Sequence, residues 1–268
     1  MLVLSRLNIY FFLSVCYGCS SLNPEPTLVT PSAAVFNDYT SYITIANNAS
    51  INPTDAISIS MWLYLTEPID CDIQNNWRGL LNKSFAFATL TGYDVIIEDD
   101  RILTWDVGTE GGEQRYNGGV ITEGKWTHLT FIYNSANAVS STYIDGVEVG
   151  GTYWTQGSGK IKTNTFNLIL NKASATCPNS LGHVPGYYDE ISLWNIALTS
   201  EQVNFNMNNV LTGMETGLIS YWSLDEDDNG YYKDIASGNH GVRTGNVKLE
   251  PSCLPFFEDL TTTNGCVN

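Results

Sequence analysis

Basic residues are scarce in this chain of 268 residues. Twelve lysines and arginines stand against 28 aspartates and glutamates, which gives a formal net charge of −16. A surface of that sign repels phosphate backbones and anionic lipid headgroups, so nucleic acid is a poor partner. Hard cations such as Ca²⁺, which prefer carboxylate and carbonyl oxygens, suit it better.

The short motifs of familiar catalytic and zinc sites are missing as well. The chain contains no G-x-S-x-G, H-E-x-x-H or phosphate-binding loop, and its only C-x-x-C, at residues 16–19, lies in the N-terminal apolar segment. Its three histidines, His128, His183 and His240, are far apart and form no zinc-ligand pattern with the cysteines. These absences predict a protein that is not an enzyme and does not bind zinc.

The apolar stretch at residues 7–15 is too short to span a bilayer. Residues 1–19 combine one arginine, this stretch and small residues, which is typical of a signal peptide. The Gly18-Cys19 step resembles the lipidation motif of bacterial lipoproteins, in which Cys19 would carry the lipid; ordinary cleavage is the alternative. Residues 20–31 hold three prolines and predict a linker. We therefore expect a secreted protein or a cell-surface or outer-membrane lipoprotein, with a lipid anchor as its only membrane contact.

Four cysteines remain after residue 19, and an even number in an exported chain predicts two disulfides. Three pairings are possible. We favour Cys71 with Cys177 and Cys253 with Cys266, because the second pair closes a short loop near the C-terminus.

Period-2 patterns predict a protein built from short strands. Apolar residues alternate from Ile57 to Leu65, and turn-rich segments separate further candidates, which are 42–45, 77–81, 85–90, 93–98, 102–107 and 126–133. Asp145-Gly146 predicts a tight hairpin turn. Thr199 with Gln202 is typical of a capping box, so we expect one helix to begin there and to stop at Gly213.

Three segments in fixed order carry a family resemblance. They are G-K-W-T-H-L-T-F-I-Y at 124–133, S-T-Y-I-D-G-V-E-V-G at 141–150, and G-Y-Y-D-E-I-S-L-W-N at 186–195, followed by A-L-T-S-E-Q. Together they resemble the laminin-G-like, concanavalin A-type lectin and glucanase domains, which include the pentraxins. The resemblance implies an all-β jelly-roll β-sandwich of two antiparallel sheets, with one short helix on the C-terminal side. We expect this domain over 32–268, including an extension at 217–268 whose strands complete the sandwich.

Relatives with this fold include glucanases that carry E-x-D-x-(x)-E on one strand, since their chemistry needs two close carboxylates. The chain has two E-x-D matches, which begin at Glu98 and Glu226, and neither is followed by the second glutamate. We therefore predict no catalytic residue.

Structural calcium is implied by the same resemblance, with Asp189 as a ligand and Asp38 as a possible second oxygen source. Residues 225–230 match the first half of a calcium loop, but the twelfth position is Ala236 instead of a bidentate glutamate. We interpret that segment as an acidic turn.

Carbohydrate recognition uses aromatic faces flanked by polar groups. Predicted loops carry such combinations at Trp77 with Arg78, at Arg115 with Tyr116, and at Trp154. We therefore predict a non-enzymatic glycan-binding domain with a structural calcium ion. A protein-binding adhesion or scaffolding module is one alternative. A glycoside hydrolase-like enzyme with no recognisable motif is the other, and a close, buried carboxylate pair would favour it.

Overall fold

The predicted sandwich of two antiparallel sheets is confirmed in a computed structural model of the chain. The structure describes residues 31–38, 40–66, 78–84, 91–98, 101–172 and 183–256. Strands are numbered in chain order, and each sheet draws strands from both halves of the chain.

The first sheet has eight strands and supports the one α-helix among the described residues. In spatial order they are β10 (Val147–Val149), β9 (Val139–Ile144), β8 (Trp126–Asn134), β3 (Ala56–Leu65), β13 (Gly186–Trp194), β1 (Ser32–Phe36) and β17 (Lys248–Pro251), while β14 (Leu218–Trp222) also pairs with β13.

The second sheet has nine strands and carries the candidate site. In spatial order they are β11 (Thr152–Gln156), β7 (Gly112–Val120), β6 (Ile102–Thr109), β5 (Gly92–Ile97), β4 (Arg78–Ser84), β12 (Leu168–Leu170), β2 (Tyr42–Ile45), β16 (Gly241–Thr244) and β15 (Tyr231–Tyr232). The strands after residue 217 thus extend both sheets.

The main core lies between the two sheets, where alternate residues of each strand meet. Trp105 from the second sheet approaches Phe131 from the first, with ring centroids 6.1 Å apart. The predicted alternation of β3 is confirmed, because Ile57, Ile59, Met61, Leu63 and Leu65 all belong to the main core, whereas Trp62 packs in a separate cluster.

Two local predictions are confirmed by backbone geometry. Asp145 and Gly146 have φ values of 50° and 76°, as a tight hairpin turn between β9 and β10 requires. Thr199 accepts from the Gln202 N–H and the Gln202 side chain accepts from the Thr199 N–H, so the capping box is present.

The helix α1 (Ser200–Asn208) ends earlier than predicted, five residues before Gly213. The Asn208 and Asn209 side chains donate to the Asn204 and Phe205 carbonyls at 2.8 and 2.9 Å. These bonds satisfy carbonyls that the next turn would otherwise use. No helix in the described part of the chain is long and apolar enough to cross a membrane.

The segment at residues 225–230 forms a turn, in agreement with its interpretation from the sequence. Asp227 accepts from the Gly230 N–H and forms an ion pair with Arg243. Gly230 has a φ of 92°, which favours glycine.

Lys83 on β4 is a buried cation that donates to three neutral acceptors. The residue is 0% exposed, and its Nζ donates to Asn47 Oδ1 at 2.8 Å, Asn164 Oδ1 at 3.2 Å and the Phe166 carbonyl at 2.7 Å. Burial lowers the pKa of Lys83 to about 8. This amine braces β4 against the loops that follow β2 and β11.

We expect the stability of the wild type relative to Lys83→Met to rise with pH. The unfolded lysine keeps its proton up to about pH 10.5, so between pH 8 and that value the folded state binds fewer protons and gains stability. Urea unfolding of both proteins at pH 7, 8, 9 and 10 measures this difference, expected to grow by on the order of 2 kcal/mol. A difference independent of pH would contradict a buried, weakly basic amine.

Candidate functional site

Four polar side chains stand in register across the middle of the second sheet. Asn82 of β4 is opposite Asp94 of β5, Asp94 is opposite Asp106 of β6, and Asp106 is opposite Arg115 of β7. Neighbouring strands lie about 4.8 Å apart, so this polar row is about 14 Å long.

The polar row lies on the face turned away from the main core. Its neighbours along the strands, Tyr93, Val95, Trp105 and Val107, are core residues at most 1% exposed, and successive side chains of a strand point to opposite faces. The row is nevertheless buried, with Asp106 only 3% exposed. Buried acids on an outer sheet face are costly, and such perturbed groups concentrate at functional sites.

Arg115 is the positive centre of this region. Its Nη2 donates to Glu98, and its Nη1 lies 3.7 Å from Asp106 Oδ2. Its Cζ lies 4.8 Å from the centroid of the Trp154 ring, within the range of a cation–π contact. The guanidinium therefore links the buried acids to an aromatic ring at the edge of the sheet.

Around Arg115 lies a carboxylate cluster, which we define as Asp94, Glu98, Asp106 and Glu113. Burial raises the pKa of Asp94 to about 6 and, together with the charge of Asp94, raises that of Asp106 well above its usual value. Burial also raises the pKa of Glu113. Two such neighbouring carboxyl groups cannot both ionise easily, so we infer that Asp94 and Asp106 hold one proton between them.

The hydrogen bonds of the pair are unequal. Asp94 Oδ2 accepts from the Ser84 hydroxyl, whereas Asp106 Oδ1 is buried and has no hydrogen-bond partner. Burial works against the charged form of Arg115, but Asp106, Glu98 and Glu113 outweigh it and raise the pKa of Arg115. The guanidinium therefore stays charged.

Trp154 provides the accessible end of the region. It lies where β11 shifts register against β7 between Tyr153 and Thr155, and such bulges re-aim side chains. Trp154 is 51% exposed, and the next residues, Thr155 and Gln156, are also exposed. A ligand arriving from solvent would meet this edge, with the polar row behind it.

The predicted ligand-binding residues are only partly brought together. Arg115 and Trp154 are in contact. Arg78 begins β4 and is buried, four residues before Asn82, which is about 13 Å along an extended strand. Trp77 lies outside the described residues.

The predicted loop positions require a correction, because Arg115 and Tyr116 lie on β7 and Trp154 lies on β11. Tyr116 is also turned away from the candidate site. Its side chain is 6% exposed, belongs to the main core and packs on Tyr153 with ring centroids 4.9 Å apart. Neighbouring Arg115 takes the outer face, so the alternation of the strand excludes Tyr116 from this site.

Sequence reasoning missed Asp94, Asp106 and Glu113. Asp94 and Asp106 alternate with core residues inside strands that were predicted, so period-2 alternation could have assigned both to one outer face. Their side-by-side position depends on the pairing of β5 with β6, which no local pattern reveals.

The two predicted calcium ligands are not adjacent. Asp189 follows Tyr188, which pairs with Ala34 near the start of β1, whereas Asp38 follows the end of that strand. The separation is roughly 15 Å along the strand. Among the described residues no group of three or more His, Cys, Asp or Glu side chains is placed to hold a metal ion. A calcium ion shared by Asp38 and Asp189 does not fit this arrangement.

Both carboxylates have protein donors instead. Asp189 Oδ1 accepts from the Glu190 N–H at 2.8 Å, and its Oδ2 accepts from the Ser252 hydroxyl at 2.6 Å. Asp38 Oδ1 accepts from the Thr40 N–H at 2.8 Å and from the Ser41 hydroxyl at 2.9 Å. These bonds tie Asp189 to the C-terminal segment and close a turn at Asp38.

The predicted disulfides and the lipid attachment site lie largely outside the described residues. Cys253 is disulfide-bonded, but Cys71, Cys177, Cys266 and Cys19 are not described. The pairings therefore stay predictions.

We expect Asp189→Ala to lower the free energy of unfolding by about 2–3 kcal/mol, because it removes two buried hydrogen bonds of a carboxylate. Thermal unfolding of both proteins in 2 mM CaCl₂ and in EDTA tests the cause. The loss should be the same in both buffers. A loss seen only with calcium would restore Asp189 as a metal ligand.

We expect Asp94→Asn to stabilise the protein increasingly as the pH rises from 4 to 7. Because burial raises the pKa of Asp94 in the folded state, ionising it costs stability that the amide does not lose, on the order of 1–3 kcal/mol. Chemical unfolding at pH 4, 5, 6 and 7 measures the difference from wild type.

Asp55→Asn is the matched control. Asp55 is exposed and pairs with Lys160 at 3.0 Å, which lowers its pKa, so its substitution should cost stability as the pH rises. If both variants respond to pH with the same sign, the buried pair is not ionised as we infer.

The chain is similar to known proteins with the same sandwich fold. A family profile described as the concanavalin A-like lectin/glucanases superfamily, of laminin G type, matches residues 37–204. No curated protein matches the chain significantly.

Solved structures share the fold at low sequence identity. A Bacteroides ovatus protein proposed to bind carbohydrate is 17% identical with a TM-score of 0.61; the match covers 84% of this chain and 60% of that protein. The chain therefore corresponds to three fifths of the length of that neighbour. A heptameric SAP-like pentraxin from Limulus polyphemus is 12% identical with a TM-score of 0.51, over 82% of this chain and 95% of the pentraxin.

Proposed function

Because the chain belongs to the concanavalin A-like lectin/glucanases superfamily, we propose that it is a carbohydrate-binding domain. We place the binding surface at the Trp154 edge of the second sheet. The observation that carries this proposal is the ring of Trp154, half exposed to solvent and held from behind by Arg115.

The chemistry of this edge suits a sugar. An exposed indole offers an apolar face to the C–H groups of a pyranose ring, and nearby polar side chains orient its hydroxyls. Thr155 and Gln156 provide a hydroxyl and an amide beside the ring. The proposed activity of the Bacteroides ovatus neighbour is of the same kind.

Rigidity is the second argument for this edge. The guanidinium under Trp154 is itself fixed by Glu98 and lies near Asp106. An aromatic ring with a restricted orientation loses less entropy when a ligand stacks on it. The buried polar row thus supports the exposed ring from below.

Calcium binding stays a prediction from the sequence. It is not part of this proposal, because Asp38 and Asp189 lie too far apart to share one ion. Export remains a prediction from residues 1–19, and so does the lipid anchor at Cys19. An extracellular location agrees with a glycan ligand and with the disulfide at Cys253.

Glycoside hydrolysis is the second candidate, and the neighbouring acids Asp94 and Asp106 favour it. Raised pKa values are what a general acid requires. Both side chains are buried, at 8% and 3% exposure, and the guanidinium of Arg115 lies beside them. We therefore rank binding first. Release of reducing ends from a bound glycan, abolished by Asp106→Asn, would reverse that order.

We expect Trp154→Ala to weaken glycan binding at least tenfold, because it removes the stacking surface. A glycan array identifies a ligand for the wild type, and isothermal titration then compares the variants. Phe205→Ala is the matched control, since Phe205 is equally exposed at 51% but lies on α1, over the first sheet.

Equal loss of binding in both variants would contradict a site at this edge. Unchanged binding in Trp154→Ala would do the same. If the wild type binds no glycan on the array, the result favours the alternative of a protein-binding adhesion or scaffolding module. Its ligand would then be sought among proteins.

A further inference from the structure

We propose that this site takes uncharged glycans and rejects those that carry carboxylate or sulfate groups. The inference rests on the proposed function and names the class of its ligand. It follows from the charges behind Trp154 and from how the arginines of the chain are used.

Arg115, the cation in contact with the exposed ring, already has partners. It donates to Glu98 and lies beside Asp106 and under Trp154. Proteins recognise anionic sugar groups mainly by forked hydrogen bonds from arginine. To bind a carboxylate, Arg115 would have to leave buried acids without their counter-ion, which is costly.

The other arginines in the described part of the chain offer no substitute. Arg101 pairs with Glu123 at 2.8 Å, and Arg243 pairs with Asp227. Arg78 is buried at the start of β4. The exposed β11 edge itself, Thr152–Gln156, carries no charged residue.

The electrostatic field behind Trp154 is negative. With one proton on the Asp94 and Asp106 pair, the carboxylate cluster carries three negative charges against the single charge of Arg115. Glu113 is the member nearest the exposed edge, because it hydrogen-bonds Thr155 and is only partly buried. Because Trp154 is half exposed, salt screens the part of this field that reaches a ligand through solvent.

Arg115 lies 4.8 Å from the Trp154 ring and the acids surround Arg115. With a further van der Waals distance for stacking, an anionic group on the sugar would lie roughly 10 Å from this cluster. At an effective dielectric constant between those of protein and water, repulsion by a net charge of two corresponds to about tenfold weaker binding. A neutral sugar does not experience this repulsion. The carboxylate cluster thus discriminates against anionic sugars by long-range repulsion, without contacting the ligand.

The test uses pairs of oligosaccharides that differ only in one charged group, such as a neutral chain with and without a terminal sialic or uronic acid. Isothermal titration of the wild type at 20 and 500 mM NaCl gives the affinity ratio of each pair. We expect the neutral member to bind about tenfold more tightly at low salt, with the ratio shrinking at high salt.

Glu113→Gln removes one charge of the cluster while leaving Trp154 and Arg115 in place. We expect it to reduce the affinity ratio about threefold, with little change for the neutral sugar. Glu201→Gln, at an exposed position on α1, is the control and should leave the ratio unchanged.

Equal or tighter binding of the charged member overturns the inference, and so does a ratio that Glu113→Gln and Glu201→Gln affect alike. In both cases carbohydrate binding itself stands. If neither member of any pair binds, the proposed function fails and the inference fails with it.

Discussion

The pairing register of the second sheet is the constraint on which the candidate site depends. Asn82, Asp94, Asp106 and Arg115 come from four strands, and only the register places them side by side. A slip of one residue would turn the acids toward the core and the core residues toward the outer face. The apolar residues that alternate with these polar ones therefore form the core and also fix the pairing register.

Packing in the interior of the sandwich offsets the unfavourable burial of these acids. Tyr93, Trp105 and Phe131 pack in a core formed by both sheets, and each large aromatic ring buries considerable apolar area. That stabilisation allows the opposite face to bury acids whose charged forms are unfavourable. A sheet that departs from local rules on one face is what a functional surface supported by a regular core would show.

Local patterns predicted most of the strands but not the assembly of the site. β2 has the predicted bounds, and β8 agrees closely with its prediction, because each shows regular alternation. Strand β7, next to the edge strand β11, was missed, since Gly112–Val120 contains few apolar residues. Tertiary contacts bury its Gln114 and Arg115, and the periodicity of the sequence does not predict such contacts.

Trp154 shows why the remaining part of the site required the structure. Its residue type and polar neighbours indicated a ligand surface, but nothing local indicated that a cation would lie behind the ring. The bulge in β11 places both Trp154 and Thr155 opposite Arg115. The contact between the exposed ring and the buried charges therefore depends on this bulge and not on regular strand pairing. In the described part of the chain β11 is also the edge strand of the second sheet, so its other side has no strand partner and the ring stays accessible to solvent.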